Sequence, residues 1–144
     1  SIAMPIISAV YLGVAEAAFA AAVNSLSGER KLDPLVQRQI GLMAHRLQIA
    51  EWALAGTLDQ IGDDPTPDMG RVAGAMLAKR EIALAGIEVC DLAMEVAGGS
   101  AYFKGSVIER CYRDIRAIKF HPLTPEESLV HAGRVALGVP ADEV

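Results

Sequence analysis

Histidine, cysteine and positive charge are scarce in this chain, and each shortage removes a class of function. The 144 residues include three histidines and two cysteines, and the formal net charge is −5. A negatively charged chain lacks the basic field that binds phosphate backbones, so we expect no nucleic-acid partner. The length and a hydrophobic content of 52% are enough for one core but not for two, which predicts a single domain.

The few histidines also lack the spacing of a metal site. A di-iron bundle needs Glu-x-x-His pairs on facing helices, and none of His45, His121 and His131 follows a glutamate by three residues. Glu127 and His131 lie four residues apart, a spacing more typical of a solvated helix contact than of a metal site. We therefore expect no bound metal.

The two cysteines, Cys90 and Cys111, fall within helical patterns and lack metal-binding spacing. Buried free thiols are more typical of such residues than a disulfide is, and they indicate a reducing compartment. We predict a cytoplasmic protein.

The first apolar run, residues 2–23, contains Glu16 as its only charged residue. A transmembrane helix would place Glu16 near mid-bilayer, at a cost of about 2.5–3.5 kcal/mol. We therefore predict a bundle helix and no membrane partner. Small residues recur along this helix at four-residue spacing and favour close packing in the core over a specific dimer contact: Ala9, Gly13, Ala17 and Ala21.

Start signals divide the rest of the chain into helices, and no alternating β pattern of useful length is present. Two kinds of signal occur: a capping residue followed by proline, and a capping box. The predicted starts are Asp33-Pro34, Thr66-Pro67, Ser106 with Glu109, and Thr124-Pro125 with Glu127.

These signals predict an all-α fold, an up-and-down helical bundle with a four-helix core and one extra short helix. Three long helices come first, the third covering 72–96, and two shorter ones lie at about 106–119 and 125–137. Leu42, Ile49 and Trp52 lie off the apolar stripe of the second helix. They predict a second contact surface, and we expect a homodimer or homotetramer.

Two features near residue 100 allow alternative interpretations. Gly98-Gly99-Ser100 is either a helix C-cap or a turn whose free backbone N–H groups hold a phosphate. Cationic side chains at three-residue spacing follow it, and they serve either an anion or the dipole at the end of a helix: Arg110, Arg113, Arg116 and Lys119.

The segment Glu95-Val-Ala-Gly-Gly-Ser-Ala-Tyr-Phe-Lys-Gly-Ser106, followed by Arg113-Asp114 and closed by 129–138, resembles the end of the acyl-CoA dehydrogenase superfamily. The resemblance covers nearly all of residues 1–144 and implies the family's C-terminal helical domain. Family enzymes are more than twice as long, so it also implies a fragment without the N-terminal and middle domains. The implied full-length enzyme is an FAD-dependent oxidoreductase that oxidises an acyl-CoA thioester. This domain would seal the FAD and join subunits, and would be inactive alone.

The resemblance also implies which residues meet the cofactor. Glu95, which stands where many relatives have Gln, would border the adenosine-diphosphate part of a neighbouring subunit's FAD. An arginine after the first helix would contact FAD across the subunit boundary, and Arg113-Asp114 would form a partly buried ion pair. The implied cofactor-binding residues are Glu95, Gly98, Gly99, Ser100, Thr124 and either Arg30 or Arg38.

The family's catalytic carboxylate has no counterpart in this sequence. Its usual position, eight residues after the Asp of the Arg-Asp pair, holds Pro122, and its other known position falls near Ala3. The segment 120–125 instead resembles a branch that includes flavin monooxygenases, in which a His-rich turn faces the flavin. His121 is therefore the candidate catalytic residue, with a structural turn histidine as the alternative. Two other functions stay open: a two-component flavin monooxygenase acting on an aromatic substrate, and a stand-alone helical interaction module.

Overall fold

A computed structural model describes residues 3–63, 66 and 68–140. Among these residues the secondary structure is entirely helical, which confirms the all-α prediction. The α-helices are α1 (Ala3–Asn24), α2 (Pro34–Ile61), α3 (Met69–Ala97), α4 (Val107–Ile115) and α5 (Pro125–Leu137). Short 3-10 turns occupy Arg30–Leu32, Gly99–Tyr102 and Arg116–Phe120.

α3 is the central helix, and it packs against α1, α2, α4 and α5. Its residues are buried on more than one side, and most of the buried ones are small. Short side chains let neighbouring helices approach closely. The small buried residues of α3 are Ala73, Ala75, Ala78, Ala83, Ala85, Gly86 and Ala93.

α1 has the length and composition of a membrane span, yet one of its faces packs against α3, α4 and α2. The prediction that its small-residue stripe packs in the core is wrong, because Ala9, Gly13 and Ala17 are exposed. At 3.6 residues per turn, the buried face lies on the opposite side of the helix from this stripe. It consists of Ser8, Leu12, Ala15, Ala18 and Ala22, with Pro5 at its start.

Two predicted helix starts are confirmed in their hydrogen bonds. Asp33 accepts from the Leu35 amide at 2.9 Å, ahead of Pro34 at the first helical position. Thr124 and Glu127 form the full capping box, with the Thr124 amide donating to Glu127 Oε2 at 2.8 Å.

Other predicted boundaries need correction. The N-cap of α3 is Asp68, which accepts from the Arg71 amide at 3.1 Å, and not Thr66; Pro67 lies outside the described residues. Ser106 does cap α4, but this helix ends at Ile115 and continues as a 3-10 turn, so it is shorter than the predicted 106–119.

Gly86 is a point of close helix approach in α3. A Cβ atom added there would lie 2.6 Å from Ile115 Cδ1 and 3.7 Å from Ala15 Cβ. Ile115 is itself buried, so its side chain has little room to move aside. Glycine at this position therefore lets α1 and α4 meet α3.

We predict that Gly86→Ala lowers the free energy of unfolding by about 1 kcal/mol. Overpacking costs about 1–3 kcal/mol, and the better helix propensity of alanine returns about 1. Ile115→Val removes the clashing Cδ1 atom, so the same change should cost less, or nothing, in that background. Urea unfolding of the unaltered protein, the two single variants and the double variant measures the coupling between residues 86 and 115. An equal cost in both backgrounds would contradict the contact.

Candidate functional site

The Gly98 turn ends α3 and leaves its backbone open. Gly98 has φ +81°, a conformation that favours glycine, and its amide donates to Met94 O at 3.0 Å. Gly99 and Ser100 are exposed. A Cβ atom at Gly98 or Gly99 would meet nothing within 4 Å. The turn is thus a helix C-cap and also a surface that a ligand can approach.

Arg30 is the arginine that the structure brings to this turn. It begins the 3-10 turn between α1 and α2, and its Nη2 donates to Val96 O at 2.9 Å. Val96 lies two residues before Gly98, in the last turn of α3. The guanidinium has further N–H donors beyond the one used here.

The other predicted residues at this end are less engaged. Glu95 is exposed, and Gln39 Nε2 lies 3.5 Å from its Oε2, the length of a weak hydrogen bond. Arg38, one residue before Gln39, is exposed and has no hydrogen bond or ion pair with the described residues.

Beyond the turn, Arg113 of α4 and Arg116 of the 3-10 turn that follows it make different contacts. Arg116 hydrogen-bonds Asp91 of α3 at 3.3 Å and lies 4.8 Å from the Tyr112 ring centroid, so it joins two helices. The Arg113–Asp114 pair is 3.8 Å long with side chains 69% and 49% exposed, so the prediction of a partly buried ion pair is wrong. Adjacent side chains on α4 point along the exposed surface, where water screens them.

A cleft of about 500 Å³ lies between the end of α3 and α4. Aromatic rings form part of its wall, and Lys104 and Arg113 add positive charge. The lining residues are Met94, Tyr102, Phe103, Lys104, Glu109, Tyr112 and Arg113.

His121 lies in the turn between the last 3-10 segment and α5, and it faces α1. Its Nε2 and the Tyr11 hydroxyl are 2.9 Å apart, and the two ring centroids are 5.6 Å apart. Nε2 and the hydroxyl therefore share a hydrogen bond. No local pattern pairs His121 with Tyr11, which lies 110 residues away along the chain.

Lys79 is the second residue at this turn that the sequence analysis missed. Its side chain is 2% exposed, and Nζ donates to His121 O at 2.6 Å and to Leu123 O at 2.7 Å. Burial lowers the pKa of Lys79, and the nearby charge of Glu127 acts in the opposite direction. A signal was available, because Lys79 lies three and four residues from Ile82 and Ala75 on the buried face of α3.

Thr124 lies at the same turn, where its hydroxyl caps α5. Hydrogen bonds from Thr124 lower the pKa of the Glu127 carboxyl group, and the bond from the Thr124 backbone amide has the largest effect. Ser128 Oγ donates to Thr124 O at 2.9 Å. The capping role of Thr124 is therefore in place.

Both cysteines are free and buried, as predicted. Burial raises the pKa of the Cys90 thiol to about 12, and it also raises the pKa of Cys111. A thiol that stays protonated near neutral pH is a poor nucleophile.

The two groups of candidate residues are far apart. Lys79 and Gly98 are separated by 19 residues of α3, which is about 28 Å along a helix. The structure therefore brings Arg30, Glu95, Gly98, Gly99 and Ser100 to one end of the bundle, and His121 and Thr124 to a second place with Lys79 and Tyr11.

Residues 5–126 match a family model described as the C-terminal domain of acyl-CoA dehydrogenase. The chain is 35% identical over 135 residues to YdbM of Bacillus subtilis (strain 168), which is named provisionally as an acyl-CoA dehydrogenase. This match covers 87% of the chain and 34% of YdbM.

A second relative and a solved structure are also similar. The amino sugar nitrososynthase DnmZ of Streptomyces peucetius is 30% identical over 138 residues, covering 90% of this chain and 34% of DnmZ. The HsaA monooxygenase of M. tuberculosis has a TM-score of 0.82 and 25% identity, covering 95% of this chain and 39% of HsaA. The chain thus spans about a third of the length of the two curated relatives.

We predict that Arg30→Met loosens the end of α3 whereas Arg38→Met does not. Loss of the hydrogen bond to Val96 O should cost about 1 kcal/mol, because this bond is partly exposed. Hydrogen exchange should become faster at the amides of residues 98–101. Arg38→Met is the matched control, since Arg38 is an equally exposed arginine without such a bond. Equal exchange rates in the two variants would show that Arg30 does not hold the turn.

Proposed function

Because this chain belongs to the family of acyl-CoA dehydrogenase C-terminal domains, as its sequence predicted, we propose that it seals a flavin site and joins subunits in an oxidoreductase. We further propose FAD as the cofactor and an acyl-CoA thioester as the substrate. The rest of the enzyme would be supplied by domains that correspond to the other two thirds of the relatives. The assignment to the cytoplasm belongs to the same proposal.

The observation that carries this proposal is the open Gly98–Ser100 turn, with Arg30 held beside it by a hydrogen bond to Val96 O. Exposed backbone N–H groups in a glycine turn suit phosphate oxygens, and a guanidinium adds charge-assisted hydrogen bonds. Those two features fit the pyrophosphate of FAD. When bound, the flavin supplies the two-electron chemistry, and the residues of this chain hold and orient it.

The two candidate sites are about 28 Å apart along α3. We propose that they contact two different flavins, which requires two subunits, so self-association is part of the proposal. We infer that the Gly98 end meets the flavin of a neighbouring subunit, and the His121 end faces the flavin of its own. Exposed apolar surface supports a homodimer or homotetramer. Trp52 is 67% exposed, and the small-residue stripe of α1 lies on the surface.

A flavin monooxygenase acting on an aromatic substrate is the second candidate, and one observation favours it. Pro122 occupies the position of the family's catalytic carboxylate, and the residue next to it, His121, has an imidazole that hydrogen-bonds Tyr11. An imidazole nitrogen and a phenol hydroxyl can each donate or accept a hydrogen bond, so Nε2 of His121 and the Tyr11 hydroxyl can together bind a polar substrate group. The similarity to a protein named as a monooxygenase agrees with this candidate. A stand-alone interaction module would explain neither site.

Anaerobic titration of the full-length protein tests the proposal. Acyl-CoA should bleach the absorbance of the bound flavin, and mass spectrometry of the released cofactor should identify FAD. Gly99→Leu should lose flavin, because its side chain would occupy the approach to the turn while the fold has room for it. Gly133→Leu is the control, since Gly133 is an exposed glycine with equal space on α5.

The outcomes separate the candidates. Full flavin retention by Gly99→Leu would contradict sealing by this turn. If acyl-CoA leaves the flavin oxidised, and the reduced enzyme hydroxylates an aromatic compound in the presence of oxygen, the monooxygenase is correct. A full-length protein that binds no flavin would leave only the interaction module.

A further inference from the structure

We propose that Lys79 is a positioning residue for His121. Its ammonium group donates hydrogen bonds to the carbonyl oxygens of His121 and Leu123, on either side of Pro122. These bonds hold the turn in the conformation in which the His121 imidazole contacts Tyr11. The hydrogen bonds that order the turn are seen in the structure. The expected effect of Lys79 on turnover rests on the proposed function.

The environment of Lys79 requires such a role. A buried ammonium group is costly unless its protons are hydrogen-bonded, and this side chain is 2% exposed. Both acceptors that it finds belong to the same short segment, with distances of 2.6 Å to His121 O and 2.7 Å to Leu123 O. The free energy of burying Lys79 is therefore coupled to the conformation of that segment.

The segment has little other support. Pro122 has no N–H group to donate. In the described part of the chain, no backbone–backbone hydrogen bond outside the helices involves His121, Pro122 or Leu123. The next residue of α3, Arg80, donates from Nε to Pro125 O at 3.2 Å. Side chains of α3 thus supply the hydrogen bonds that the backbone lacks here.

Fixing both carbonyls also fixes the direction of the imidazole. The two acceptors flank Pro122, so the backbone that leads into and out of His121 has little freedom while Lys79 holds it. The ring then reaches Tyr11 Oη at 2.9 Å. An unbranched side chain that is one atom shorter and has no donors, as in Lys79→Met, removes the restraint and keeps much of the buried volume.

Imidazole NMR signals test the positioning without any flavin. The chain has three histidines, so His45 and His131 are internal references for His121. Lys79→Met should move the His121 ring signals toward those of a free imidazole, and we expect the same of Tyr11→Phe. Lys119→Met is the control, because it removes an exposed lysine close to the turn. Unmoved His121 signals in folded Lys79→Met would overturn the proposal.

A measurement on the unaltered chain covers the case in which Lys79→Met does not fold. Scalar couplings across the hydrogen bonds should connect Lys79 Nζ with the carbonyl carbons of His121 and Leu123. A protonated, slowly exchanging Nζ without either coupling would also overturn the proposal.

Turnover of the assembled enzyme separates this proposal from the proposed function. His121→Asn should lower kcat by about a hundredfold, as loss of a positioned acid–base group does. Lys79→Met should lower kcat too, and the double variant should be no slower than His121→Asn. If His121→Asn is fully active while Lys79→Met still moves the His121 signals, the catalytic role of His121 fails and the positioning stands. Additive losses in the double variant would contradict action through His121.

Discussion

The close packing of four helices around α3 is the constraint on which the rest of the structure depends. Small residues make this packing possible, and at Gly86 an added methyl group would collide with Ile115. A helix enclosed in this way has little access to water, so its polar side chains must find partners within the protein. Lys79 meets that requirement through the His121–Leu123 turn. Core packing thereby fixes the position of the candidate site at His121.

α3 also sets the distance between the two candidate sites. This helix ends at the Gly98 turn, where Arg30 donates a hydrogen bond to Val96 O. Lys79 lies on the same helix, 19 residues before Gly98. A separation of about 28 Å is more natural for two cofactor molecules than for one. We propose an assembly in which each chain serves two flavins, and the exposed side chain of Trp52 supports it. The fold, the proposed cofactor and the proposed self-association are therefore parts of one arrangement.

Local signals in the sequence predicted much of this, and long-range contacts account for what it missed. Asp33, Thr124 and Gly98 act on residues next to them, so short motifs were enough to place helix ends. Periodicity failed on α1, because a helix that is apolar nearly all round does not reveal which face its neighbours cover. Tyr11 and Lys79 meet His121 across 110 and 42 residues, and no local pattern encodes such contacts. The choice between Arg30 and Arg38 likewise needed the tertiary structure.

A structure of the flavin-loaded, full-length enzyme tests the central claim most directly. The account predicts that residues 98–100 contact the pyrophosphate of a flavin bound by a neighbouring subunit, with Arg30 beside them. It also predicts that His121 faces the ring system of the flavin in its own subunit. A flavin that touches neither turn would contradict the account. A single flavin molecule in contact with both turns of the same chain would contradict the two-site arrangement set by α3.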